Sequence, residues 1–325
     1  MVQKLYYYES KSLSPYYNLA LEDILRSQLL PGEAVLYLWR NDHTVVIGKH
    51  QSAYHECDLE AIRAEGVSLA RRKTGGGAVF HDAGNLNFTF LNRRKDYDLN
   101  RNFEILLEAL KAVGVPAVLS GRNDLTVEGL KFSGNAFFKS AQVAYHHGTL
   151  MVEVSMEKLA RYLRVSPLKL RSKSVASVRS RVVNLCQICP ALTLGALTQS
   201  LQKTFAASYG LPLLPGPAWD ENLRAEAEKS LASPAWILGE KPNASSSSVN
   251  IEERFDWGCV LISGAGPEMS LYSDALDTEV VEYLRSSLLH FLHSFPGPIP
   301  VPDSFTSSQK KMVEDINELL KKLPE

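Results

Sequence analysis

Residues Arg71–Asp82 read RRKTGGGAVFHD. Two arginines and a lysine lead into Gly75-Gly76-Gly77, and Ala78-Val79-Phe80 with His81-Asp82 follow. A glycine turn lets a ligand approach the backbone and leaves N–H groups free to face an anion. Arginine suits bidentate contact with phosphate or carboxylate. The run is not a P-loop, because G-x-x-x-x-G-K-[ST] is missing. It is not the dinucleotide fingerprint either, because no long helical pattern follows. Taken alone it is a solvated hairpin tip or an anion site. The two arginines upstream and VFHD downstream favour the site.

Outward from this stretch the chain mixes helices and strands. KLYYYES reads as a first strand. Ser14 can cap a helix whose first turn holds Pro15 and whose apolar face is Leu19, Ile24 and Leu25. AVLYLW and TVVIG are strand-like. DLEAIRAEG is a short helix stopped by Gly66. GAVFHDAGNLNFTFL reads as two strands joined by a turn at Asp82–Gly84, and RNFEILLEALKAVG as an amphipathic helix. NDLTVEGLKFSGNAFFKS and AQVAYHHGTLMVEVS read as hairpins. Neighbouring hairpins mixed with helices predict an α+β, mixed-sheet fold and not a regular βαβ wheel. GEKPNASSSSVN is a polar linker, which gives domains at 1–240 and 251–325 joined by 241–250. The last 75 residues carry thirteen acids against six bases, so the rest of the chain is positive by comparison.

Composition narrows the function classes. The chain has 325 residues, a net charge of −1 and 45% hydrophobic residues. No global basic character points to nucleic acid, and no apolar run reaches the ~20 residues of a membrane helix. MVQKLYYYES is neither a signal peptide nor an Arg-rich transit peptide. The expected compartment is the cytoplasm, or the mitochondrion where a presequence has been removed. Cys57, Cys186, Cys189 and Cys259 are too scattered for a disulfide framework. Cys186 and Cys189 form one C-x-x-C without the second pair a zinc site needs. Cys57 sits between Glu56 and Asp58, which disfavours a thiolate nucleophile.

Three more clusters could carry chemistry. Lys131 alternates with Leu130 and Phe132 beside Ser133-Gly134, so it can point into a site as a fixed positive charge. Asp124 is a candidate Mg2+ ligand, since one carboxylate plus nucleotide phosphates suffices. His146 and His147 are adjacent on a strand, so they point to opposite faces: one is structural and the other lines a pocket. Lys158, Arg161, Arg164, Lys169, Arg171, Lys173, Arg179 and Arg181 form a basic block with no acid between 158 and 181. That block is a solvated face, a docking patch for an acidic partner, or extra charge near a nucleotide.

Together NLALED, VVIGKHQ, ARRKTGGGAVFHDAGNLNFTF, GRNDLTVEGLKFSGNAF, HHGTL, SVRSRVVNL and ERFDWG resemble the lipoate–protein ligase family over essentially the whole chain. The resemblance implies a class II synthetase-like core shared with biotin protein ligases, plus a small α/β C-terminal domain. It implies that lipoate and MgATP give lipoyl-AMP, and that the lipoyl group then passes to a lysine of a lipoyl domain. The acceptors it implies are E2 subunits of 2-oxoacid dehydrogenases and the glycine-cleavage H protein. By position, Arg72 and Gly77, Ala78, Val79 and Phe80 fall on nucleotide contacts, and Lys131 on the catalytic lysine. Arg71, Gly75, Gly76, His81, Asp124, Ser133 and His147 fall on further pocket positions, and within the basic trio this makes Arg72 the sharper candidate and leaves Lys73 as a solvated charge. Phe137 and Phe138 stand where many members have a smaller residue, so they narrow a pocket or simply pack. A monomer is expected. The alternatives are a lipoyltransferase that uses preformed lipoyl-AMP or lipoyl-protein, and a non-catalytic acyl- or nucleotide-binding regulator.

Overall fold

A computed structural model describes residues 1–121, 123–164, 182–239, 249–264, 269–294 and 297–322. Most of the basic block, much of SVRSRVVNL and most of the linker lie outside these residues.

The strands are β1 (Lys4–Glu9), β2 (Glu33–Trp39), β3 (Thr44–Ile47), β4 (Ser68–Arg71), β5 (Val79–His81), β6 (Asn85–Arg93), β7 (Val118–Ser120), β8 (Asp124–Val127), β9 (Leu130–Lys139), β10 (Val143–Met151), β11 (Leu213–Pro215), β12 (Val249–Phe255), β13 (Gly258–Gly264) and β14 (Ser270–Ser273). The helices are α1 (Pro15–Gln28), α2 (Ala53–Glu56), α3 (Leu59–Ala64), α4 (Leu99–Ala112), α5 (Met156–Tyr162), α6 (Leu185–Ile188), α7 (Leu194–Tyr209), α8 (Glu221–Leu231), α9 (Pro234–Leu238), α10 (Thr278–Ser294) and α11 (Ser307–Leu320).

The main sheet runs β11-β1-β2-β6-β10-β9-β8-β7. β1 lies parallel to β2 and β11, and the other pairs are antiparallel. Alternation sorts its side chains onto two faces. Leu36, Leu38, Phe88, Phe90 and Leu150 pack with Leu106, Leu110, Leu201 and Phe205 of α4 and α7. Val35, Tyr37, Trp39, Leu91 and Tyr145 face α1 instead, with its Leu21 and Leu25.

The ends of the elements follow from the sequence. Ser14 accepts from Tyr17 N at the start of α1, with Pro15 at its first position. Asp58 caps α3, and Gly66 beyond it takes φ 65°.

The two strands expected on either side of Asp82–Gly84 enter different sheets. β5 and β6 are joined by the expected turn but do not pair with each other. β5 pairs with β3 in a three-stranded sheet ordered β4-β3-β5, and β6 sits inside the main sheet. Asp82 fixes the change of direction by accepting from Gly84 N and Ser155 N.

β12, β13 and β14 form a separate antiparallel sheet. It shares an apolar core with α10 and α11 through Val260, Ile262, Val281, Leu284, Val313 and Ile316. This unit rests on two turns of the larger one. Gly76 N donates to Ala275 O at 3.2 Å, and Ser273 N donates to His50 O at 3.0 Å. Lys49 pairs with Glu282 at 3.0 Å.

Candidate active site

The site begins as a row of facing positions on the α1 side of the main sheet. Trp39 of β2 opposes Asn87 of β6, and Asn87 opposes Thr149 of β10. Gly134 of β9 donates its N–H to Thr149 Oγ1 at 3.2 Å. Strands stand ~4.8 Å apart, so this row crosses roughly 14 Å of sheet. Above it lies a cavity of about 130 Å³, lined by all four residues, by Arg72 and Gly76–Val79 from the glycine turn, and by His81, Lys131 and His147.

The glycine turn is built by Arg72. Its Nη2 donates to Gly75 O at 2.7 Å and Gly77 O at 2.8 Å, and its Nε to Thr74 Oγ1 at 3.1 Å. A trans peptide points its N–H opposite to its C=O. Tying Gly77 O to the guanidinium therefore turns Ala78 N–H the other way, in the sense an anion site needs. Burial lowers the Arg72 guanidinium to about 10, and it stays charged at neutral pH.

The glycines divide their tasks. Gly76 has φ 92°. A Cβ on Gly75 would lie 2.1 Å from Ala275 O, so that glycine admits the C-terminal unit. A Cβ on Gly77 would meet nothing within 4 Å, so the open space lies over Gly77.

Several expected pocket residues lie elsewhere. Arg71 spends its donors on the carbonyls of Gly48, Lys49, Gln51, Trp236 and Ile237, and so knits the turn after β3 to α9. Phe80 packs against Tyr162 in a core behind the small sheet, so only its backbone is near the cavity. Ser133 is fully buried, and its Oγ accepts from Asn135 Nδ2 at 3.2 Å. Lys73 is no free charge, because it pairs with Asp23 at 2.6 Å. Phe137 and Phe138 pack, Phe137 against Phe103 and Phe138 stacked on Tyr145. Burial and then Glu56 push the Cys57 thiol up to about 12, which fits an inert core cysteine.

Lys131 sits at the Gly134 end of the row, its Nζ 2.8 Å from Asp124 Oδ1. Its side chain is 40% exposed, so the ammonium stands at the mouth of the cavity. Val182 bridges to Lys131, and Val183 N donates to Lys131 O at 2.9 Å.

The two histidines separate as adjacent strand residues must. His146 is buried among Phe88, Phe103 and Phe137, with Nε2 2.8 Å from Asn135 Oδ1. His147 lines the cavity between Glu22 Oε1 at 2.9 Å and Thr74 Oγ1 at 2.8 Å. Burial pushes the Glu22 carboxyl up, but His147 and the hydroxyl of Thr89 more than offset this and hold it below the usual range.

α1 braces both cavity histidines from positions one turn apart. Glu22 reaches His147, and Asn18 reaches Asn41, whose Nδ2 lies 3.2 Å from His81 Nδ1. Sequence reasoning missed Glu22, Trp39, Asn87, Asn123 and Thr149. For Asn87 and Thr89 a signal existed, namely polar residues alternating with Leu86, Phe88 and Phe90 inside one strand.

Residues 14–206 match the family model of the lipoyl protein ligase A/B catalytic domain. The chain belongs to the lipoyl protein ligase A/B family. It is 40% identical over 301 residues to lipoate-protein ligase A of Psychrobacter cryohalolentis, with 88% of each chain covered. It is 38% identical to lipoate-protein ligase A of Bdellovibrio bacteriovorus, again with 88% of each covered. Among solved structures, P. falciparum LipL1 in complex with lipoate superposes with a TM-score of 0.77 at 26% identity, covering 97% of this chain and 99% of that one. The bi-partite lipoate protein ligase of Thermoplasma acidophilum, at 24% identity, 0.64, and coverage of 75% and 100%, shares the fold. The expected mixed α/β ligase fold and enzyme class are therefore those of this family.

Proposed function

We propose that this chain activates lipoate with ATP and then lipoylates a lysine of a lipoyl domain. One observation carries the reading. A cavity runs across four strands from Trp39 to Gly134, and a positive side chain and a glycine turn both line it. Such a channel suits a medium-chain acid whose carboxylate lies by Lys131. The lipoate bound to P. falciparum LipL1, a relative of the same fold, supports this use.

In the first step a carboxylate oxygen of lipoate attacks the α-phosphorus of ATP, and pyrophosphate leaves. In the second the acceptor lysine's ε-amine, having lost a proton, attacks the acyl carbon, and AMP leaves with the C–O bond's electron pair. Neither step needs a protein nucleophile. The chain supplies position and charge. Lys131 stabilises the charge that develops on the carboxyl and phosphoryl oxygens. Ala78 N–H and the open face of Gly77 admit the nucleotide, and Arg72 holds that turn in shape.

Among the described residues no group of three or more His, Cys, Asp or Glu could hold a metal by itself. Asp124 fits Mg2+ only as one carboxylate completing a shell of phosphate oxygens, because it stands alone and shares Oδ1 with Lys131. The ion would neutralise phosphate charge there. The acceptors proposed are acidic lipoyl domains of E2 subunits or the H protein. The cytoplasm, or the mitochondrion for a processed chain, remains the proposed compartment.

The test is pyrophosphate release from lipoate and ATP, followed by mass gain of an apo lipoyl domain. Release with transfer supports the proposal. Transfer only from added lipoyl-AMP would make the chain a transferase.

A further inference from the structure

Glu22 and Thr74 are buried beside the cavity lining and not in it, yet each touches residues that line it. Glu22 Oε1 serves two groups: His147 Nδ1 lies 2.9 Å from it, and Thr89 donates its hydroxyl at 2.7 Å. Thr74 Oγ1 lies 2.8 Å from the other ring nitrogen of His147 and accepts from Arg72 Nε at 3.1 Å. A carboxylate on α1 is thus joined to the guanidinium of the glycine turn by two intervening side chains.

Counting hydrogens gives this row a direction. The Glu22 carboxyl is held below its usual range, so it is ionised and can only accept. His147 Nδ1 must therefore carry a hydrogen. The Thr74 oxygen already receives Arg72 Nε–H and has one hydrogen of its own to place. His147 Nε2 is the acceptor within its reach, so that nitrogen is bare. Arg72 then donates to Thr74, Thr74 to His147, and His147 to Glu22, with no group in the row left unpaired.

The other donor contacts of Arg72 go to the carbonyls of Val46, Gly75 and Gly77. Thr74 is its link to β10 and α1. A guanidinium is a planar fork, and holding Nε fixes the plane in which Nη2 meets the two glycine carbonyls. We propose that Glu22 is a positioning residue for the nucleotide, acting through His147 and Thr74 to hold the plane of Arg72 and so the shape of the glycine turn. The proposal rests on the activation reading, because it takes that turn as the nucleotide's contact.

The row is best cut at Thr74, since Glu22 also serves the cavity wall at Trp39 through Thr89. Thr74→Val removes the hydroxyl at nearly constant volume, and Thr74→Ser keeps it. Pyrophosphate release by the full chain gives KM for ATP and for lipoate. Thr74→Val should raise KM for ATP about tenfold, as for loss of one hydrogen bond to a charged group, and leave KM for lipoate within about threefold. Thr74→Ser should stay within about threefold for both. Equal rises for the two substrates, or a loss in Thr74→Ser as large as in Thr74→Val, overturn the proposal. Glu22→Ala alone should raise KM for ATP about tenfold, but less than about threefold when added to Thr74→Val, because the row is already cut. A full tenfold in the double variant shows that Glu22 acts by another route and overturns its role.

Nitrogen NMR of the histidine rings in the unliganded wild type at about pH 8 needs no variant to fold and no turnover. It should show His147 protonated on Nδ1 and bare on Nε2, and the opposite tautomer overturns the row. A wild type that releases no pyrophosphate would strike the activation reading instead, with the tautomer still read.

Discussion

Lys131 and His147 face the same cavity but differ in how they are held. Lys131 is half-exposed and carries one ion-pair partner, so replacing it should leave the fold intact and remove the charge. Removing a preorganised charge of this kind costs ~100- to 1,000-fold in rate. Lys131→Ala should lower both pyrophosphate release and transfer from synthetic lipoyl-AMP by that order, with its unfolding midpoint within ordinary surface-mutant error. A variant that forms the adenylate at near wild-type rate contradicts the role given to Lys131.

His147, in contrast, is fixed by a buried carboxylate. Glu22→Ala strands the His147 and Thr89 donors and should cost ~3 kcal/mol in urea unfolding. Glu22→Gln keeps an acceptor oxygen and should cost about half as much. Equal losses would show that packing, not the hydrogen bonds, is what Glu22 supplies.

That Lys131 and one of the two histidines face a cavity was legible in the sequence, because strand alternation and a neighbouring glycine already imply where such side chains point. Arg71 was not legible. Its six short donor contacts go to backbone carbonyls of segments up to 166 residues away, and no local pattern encodes them.

At the scale of elements, the glycine turn separates two duties that the sequence merges. Gly75 faces Ala275 O and Gly77 faces open space. Gly75→Ala should therefore weaken the contact with the C-terminal unit, read as a loss of ~1–3 kcal/mol in urea unfolding. Gly77→Ala should keep stability and raise the KM for ATP. The reverse pattern would contradict this assignment.

Helix α1 was legible from Ser14, Pro15 and its apolar spacing, yet its main service to the site was not. Asn18 and Glu22 read as ordinary polar positions until the sheet buries them. β5 and β6 show the same limit. Each was read as a strand, but which strand it pairs with depends on partners 33 or more residues away, Val45 for Phe80 and Phe88 for Leu38 among them.

For the molecule as a whole, the two units meet at His50, and titration there reports on the fold. Burial and then Lys49 and Arg285 lower His50 to about 4, against the opposing pull of Glu282. Burial lowers His81 to about 3 and holds His146 well below its ordinary value. These rings stay neutral in the folded chain while the unfolded chain takes up protons below pH ~6.5. Stability should thus be lost as pH falls from ~6.5 towards 4, by ~1.4 kcal/mol per pH unit for each ring. Between pH 6.5 and 5 carboxylates contribute little, so chemical denaturation there isolates the effect. His50→Gln should make the slope shallower by about one ring's share. An unchanged slope would remove His50 from the account.

The central claim is that the cavity joins an acid to a nucleotide. It is tested most directly by mass spectrometry of the full chain incubated with lipoate and MgATP in the absence of any acceptor. The account predicts bound lipoyl-AMP in the wild type and its loss in Lys131→Ala. Bound lipoate with intact ATP, and no lipoyl-AMP in the wild type, would contradict it.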